Sequence, residues 1–156
     1  MNVNWKNGLV VLGIVFLFGA VLGNLLYMNP LVAGWYQSMS GHPGIKPWQE
    51  FGSLENFILM DMAAGFLLTI LYIILFSLLR ARLPASRLGA GILFGLLVIL
   101  LKAAPEAWNQ YLNINYPVSL VLAQLANSCI GLIATGIVLS LAWTRWPCCP
   151  PWKKIA

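Results

Sequence analysis

The chain has 156 residues, 60% of them hydrophobic and only 8% charged, a composition that places it among multi-pass membrane proteins. Four apolar runs each approach the roughly 20 residues that a membrane span requires, at residues 8–27, 57–79, 88–104 and 118–143, and with their links and a tail at 144–156 they leave no length for a soluble domain. The net charge of +5 lies mostly in the segments between those runs, so it reads as a topology signal facing anionic lipid and excludes a nucleic-acid groove of basic residues and stacking aromatics.

The first run is too long for a secretory signal core and leads into Asn24, Tyr27, Asn29 and Pro30 without a small-residue cleavage site. It reads as a retained helix that stops at Asn29-Pro30, because proline cannot continue the ladder and restricts the residue before it. Gly19 and Gly23 stand four apart on it, a spacing that admits a close helix neighbour.

The link that follows is long and aromatic: Trp35, Tyr36, Trp48 and Phe51 alternate with Gly34, Gly41, Pro43, Gly44 and Pro47. Aromatic rings favour the head-group level, so this segment reads either as an interfacial anchor or as a lid over the bundle.

In the second run Asp61, Gly65, Thr69 and Tyr72 share one helical face. The short link after it carries Arg80, Arg82 and Arg87, with Pro84 and with Ser86 as a candidate N-cap for the third helix; helices two and three are expected to be antiparallel neighbours. Gly91 and Gly95 repeat the close-packing spacing in the third run, which carries Lys102 near its end, with Glu106 one turn later. Pro117 suits the first turn of the fourth helix, where Ala123, Asn127, Gly131 and Thr135 form a stripe of smaller residues and Gln124 and Ser128 add polar groups.

Seven of the nine basic residues, Lys6, Arg80, Arg82, Arg87, Arg145, Lys153 and Lys154, fall on one side of this layout, with Lys46 and Lys102 on the other. The excess marks the cytoplasmic side, so both termini are expected inside. Glu50, Glu55, Asp61 and Glu106 all fall outside, Glu55 beside the positive end of helix two.

Lipid cannot satisfy polar groups, so Asn24, Asp61, Thr69, Tyr72, Lys102, Glu106, Gln124, Asn127 and Ser128 are expected to face one another or line a wet cavity near the outer face. Asn127 lies roughly 13 Å into its helix by the ordinary rise per residue, too deep to snorkel. In one reading Asp61 and Lys102 form an ion pair, with Asn24, Gln124 and Asn127 as interhelical glue worth about 0.6 kcal/mol per bond. In the other the same groups make a solute or ion pocket, Asp61 accepting a proton or cation and Lys102 contacting an anion.

Catalysis has thinner support, one carboxylate near one amine without a nucleophile and base, and no catalytic residue is assigned. No cofactor or metal is expected: His42 is the only histidine, which argues against a haem between helices, and with Glu50 and Glu55 it makes a poor zinc set. Cys129 lies in the fourth run and Cys148-Cys149 in the basic tail, without the spaced pair of a thiol oxidoreductase. The tail reads as an interfacial anchor, with soft-metal binding and acylation as sharper alternatives.

The layout resembles small four-helix bacterial inner-membrane proteins of unknown function, in the Tyr27-Met28-Asn29-Pro30 end of helix one, the aromatic outer link and Trp143 near the close of helix four. The resemblance implies a fold and a location and carries no activity. Small multidrug transporters of four helices differ, since they carry a carboxylate in mid-helix one and this chain has none there.

The expectation is therefore an all-α transmembrane four-helix bundle in a bacterial cytoplasmic membrane, its partners the lipid bilayer and either a membrane protein or copies of itself. The leading function is a non-enzymatic accessory or interaction subunit with a polar site near the outer face. The alternatives are a small-solute or ion carrier working as a homo-oligomer and a membrane enzyme using Asp61 or Glu106 as acid or base.

Overall fold

A computed structural model describes residues 4–27, 30–38, 41–42, 50, 52–113 and 117–147. Its helices are α1 (Trp5–Tyr27), α2 (Pro30–Ser38), α3 (Leu54–Leu79), α4 (Arg87–Val98), α5 (Ala104–Asn113) and α6 (Val118–Arg145), with a π-helical turn, Ile99–Ala103, joining α4 to α5. Among the described residues four helical stretches are long and apolar enough to cross a membrane: α1, α3, the continuous α4 to α5 unit and α6. The expected all-α, four-helix architecture is the one found.

Two departures from the sequence reading have local causes. The link after α1 contains a helix, α2, which starts on Pro30, where the missing N–H of proline costs nothing. The third span does not end at Ala104 but runs on through Pro105 to Asn113. Proline in a helix clashes with the carbonyl four residues earlier, here that of Leu101, and the π turn opens the ladder at that place: the Ala104 N–H reaches back five residues to the Ile99 carbonyl.

The α3 start is capped by Ser53, whose Oγ accepts from the Asn56 N–H at 3.1 Å after Gly52 at φ +85°. Ser86 does occupy the N-cap position of α4, but its side chain makes no capping bond. The aromatic link's anchor or lid role rests on Lys46, Trp48, Phe51 and the side chains of Trp35 and Tyr36, and the tail's on Cys148 onward; these lie outside what is described.

Helix α6 is the spine. It runs antiparallel to α1, the register pinned at one end by Asn7 Nδ2 donating to the Pro147 carbonyl at 3.0 Å and at the other by Asn127 Nδ2 donating to the Leu26 carbonyl at 3.3 Å. On another side it meets α4 backbone to backbone, the glycines of Gly91 and Gly95 lying on Gly136, Ile137, Ile133 and Leu132. The stripe expected on helix four divides otherwise: Gly131 and Asn127 face Leu26 of α1, and the seam toward α4 is built on Gly136. Among the described residues Gly19 and Gly23 have no neighbour within reach of an added Cβ, so their spacing forms no seam there.

Helix α3 leans on α1 through an edge-to-face contact of Phe66 with Phe16, centroids 5.5 Å apart. Its far end plugs into the bundle with Phe76, whose ring meets Phe94 at 5.2 Å and Trp143 at 5.5 Å. Val11, Val15, Ala90, Val98, Leu139 and Ala142 close around that cluster. The packed core therefore occupies the half of the bundle that carries Lys6, Arg80, Arg82, Arg87 and Arg145, hereafter the arginine end. Toward the other end α3 departs from the bundle, and every residue from Ile58 to Ala64 is exposed.

Candidate functional site: a polar recess opposite the arginine end

Because α1 ends level with Asn127, the first nine residues of α6 overshoot it by about 13 Å and pair instead with α5. The depth of Asn127 counted from Val118 therefore overstated its burial; its amide sits at the top of α1 and is satisfied by the Leu26 carbonyl. In the step between α1 and the α5–α6 pair lies a recess of about 220 Å³, lined by Tyr27, Lys102, Ala103, Glu106, Ala107, Gln110, Gln124, Leu125 and Ser128.

Each element delivers its groups by helical spacing. Lys102, Glu106 and Gln110 follow one another at four residues along the π turn and α5, and Gln124 and Ser128 do the same on α6, so two polar stripes face each other. Helix α1 contributes its last residue, Tyr27, whose hydroxyl lies 3.4 Å from Ser128 Oγ in a hydrogen bond between spans. Lys102 Nζ donates to Glu106 Oε2 at 3.1 Å, and the two side chains remain 38% and 52% exposed. The π turn matters here: an added residue in a helix turn rotates everything beyond it, so the register that brings Glu106 and Gln110 to face α6 depends on how Pro105 is accommodated.

The level of the recess follows from α6. Ser128 and Gln124 lie about 25 and 32 Å along the helix from Arg145 at the ordinary rise, close to the thickness of a hydrocarbon core of about 30 Å. Trp108 and Tyr111 on α5 are exposed with their rings 6.2 Å apart, as residues of an interfacial aromatic belt are. The polar groups thus gather at the membrane boundary away from the arginines, not at mid-depth.

The structure brings together Lys102, Glu106, Gln124 and Ser128 of the expected residues, with Asn127 one turn aside. Tyr72 lies within electrostatic reach of Lys102 and Glu106 from the α3 side. The paired reading of Asp61 and Lys102 is corrected: the ion pair of Lys102 is to Glu106, and Asp61 is exposed where α3 has left the bundle. Its stripe is inward-facing, as Thr69 and Phe76 are buried, but the helix diverges before reaching it. Thr69 donates to the Gly65 carbonyl and Asn24 to the Ala20 carbonyl, both at 2.8 Å, so each is satisfied within its own helix and neither links spans. Tyr27 and Gln110 were missed. Gln110 was legible as the next position in the Lys102, Glu106 series, had the helix been carried through Pro105.

Among the described residues no three His, Cys, Asp or Glu side chains gather closely enough to hold a metal ion. No curated protein and no solved structure matches the chain. Residues 9–140 match the family described as "Protein of unknown function (DUF1761)", and with most of its length covered the chain belongs to that family.

Proposed function

We propose that this protein is a non-enzymatic multi-pass membrane subunit that recognises a small polar ligand in the recess at one membrane face. The observation that carries this reading is the convergence of polar side chains from three spans on one cavity: Tyr27 from α1, Lys102, Glu106 and Gln110 from the third span, Gln124 and Ser128 from α6. A volume of about 220 Å³ falls below the 300–1,000 Å³ typical of drug-sized ligand sites, which favours a solute or head group of few atoms over a quinone or a drug.

The packing below the recess favours binding over passage. Between it and the arginine end stand Val98, Phe94, Phe76, Leu139 and Trp143, all buried, and α4 meets α6 there backbone to backbone, with no space between them. A carrier would have to open that half in alternation, so the recess reads as a blind site. The positive-inside bias supports an orientation with both termini cytoplasmic and the recess facing outward, in a bacterial inner membrane.

Native mass spectrometry of the gently extracted protein tests the reading. A small molecule retained at one copy per chain, and lost in Lys102→Met and in Gln124→Leu, is expected. A folded wild-type protein with no adduct would overturn it, and ligand-dependent flux in liposomes would return the carrier reading.

A further inference from the structure

The charges in the recess are a matched pair. Lys102 Nζ stands 3.1 Å from Glu106 Oε2, which uses one of three ammonium hydrogens and leaves the other carboxylate oxygen of Glu106 available. Both side chains are partly open to the cavity that they line. The recess therefore presents a positive and a negative pole side by side, with amide donors and acceptors of Gln110 and Gln124 beside them.

Electrostatics then discriminates by charge pattern. A lone anion at Lys102 is also repelled by the Glu106 carboxylate beside it, and a lone cation at Glu106 by the ammonium, so in either case part of the attraction is offset. A solute that carries both charges is attracted at both poles and does not have to break the pair, since each partner has bonding capacity to spare.

We infer that the recess binds a small zwitterion, its phosphate or carboxylate on Lys102 and its ammonium on Glu106. This rests on the reading of the recess as a ligand site and names the ligand class. Two sources carry this chemistry, the phosphoethanolamine head group of a membrane lipid and a free amino acid, and the level of the recess at the membrane boundary suits both.

The test is thermal unfolding of the full-length protein in mild detergent with each of several probes. Short-chain phosphatidylethanolamine, soluble phosphoethanolamine and serine are the zwitterions; inorganic phosphate, acetate, ethylammonium and short-chain phosphatidylglycerol are the single-sign controls. A zwitterion raises the midpoint and the controls do not; a shift with the lipid alone assigns a head group, and a shift with serine assigns a free amino acid. Glu106→Gln weakens zwitterion binding about tenfold or more and turns the preference toward anions, whereas Lys102→Met turns it toward cations. That exchange of preference is a readout which a merely structural ion pair would not move.

Equal shifts from phosphate and phosphoethanolamine, or an unchanged preference in folded Glu106→Gln, would overturn the inference. A bound molecule of another charge type, found by native mass spectrometry, would overturn it while leaving the recess a ligand site. No adduct and no shift in any arm would overturn both. Should Lys102→Met fail to fold, Ser128→Val, which replaces the hydroxyl of the opposite wall with methyl groups, is expected to weaken zwitterion binding without changing the charge preference.

Discussion

Gly91 and Gly136 pack backbone against backbone: a Cβ added to Gly136 would meet the Gly91 carbonyl oxygen, and one added to Gly91 would stand 2.5 Å from the Ile137 Cα. In a bilayer the lipid is as apolar as a leucine, so helices are held by close packing more than by the hydrophobic effect. This contact is thus a principal tie between the third and fourth spans. Gly91→Ala and Gly136→Ala each push backbone, not a movable side-chain tip, and should cost about 2 kcal/mol or more, seen as a lower unfolding midpoint in detergent. Gly19→Ala and Gly23→Ala meet nothing within 4 Å and should be neutral or slightly stabilising through helix propensity. An equal loss at both pairs would contradict the assigned seam.

Phe76 is fully buried against Phe94 and Trp143 and anchors α3 at the arginine end. Its truncation to alanine loses dispersion contacts and leaves a cavity, while the transfer contribution largely vanishes in lipid. A cost of about 2 kcal/mol is expected. Because α3 is the loosely held helix, protease or hydrogen-exchange measurements should find the change concentrated in residues 54–79, with α4 and α6 protected as before.

Ser140 is 1% exposed and its hydroxyl has no hydrogen-bond partner among the described residues. Removing an unsatisfied buried hydroxyl is expected to be neutral or stabilising by up to about 1 kcal/mol, read as an unchanged or raised midpoint in Ser140→Ala. A marked loss would mean that the hydroxyl has a partner that packing alone does not account for.

Pro105 sets the register of α5 through the π turn before it. In Pro105→Ala the Leu101 carbonyl can accept an ordinary helical bond and the turn can relax to α. The variant should keep its thermal stability within about 1 kcal/mol, or gain, as proline is the poorest helix former, yet lose the ligand retained in native mass spectrometry. Retention of the ligand would separate the recess from the π turn.

Much of this architecture could be read from the chain alone, because membrane spans follow from length and apolarity. The glycine spacing of Gly91 and Gly95 and the polar stripes of α3 and α6 were also visible, since helical periodicity assigns residues to faces. Periodicity does not say which neighbour a face meets: the stripe through Asn127 and Gly131 faces α1, and Gly136 was overlooked. Nor does it say where a helix leaves the bundle, which is why Asp61 sits on an inward stripe and is exposed while Lys102 pairs with Glu106. The third span runs past Ala104 for a related reason: apolarity marks where lipid contact ends, not where the helix ends, and Pro105 is absorbed by a π turn.

A ligand can reach the recess only if water enters it from the face opposite the arginines. Labelling of Ser128→Cys with a membrane-impermeant maleimide, in a background of Cys129→Ala and without the tail cysteines, tests this most directly. Ser128 is half-buried on the wall of the recess, so a water-borne reagent reaches it through that opening. Modification from the side opposite an Arg82→Cys control, with Ala142→Cys unmodified from either side, is the result that the structure predicts. An unreactive Ser128→Cys, or one reached only from the arginine side, would contradict it.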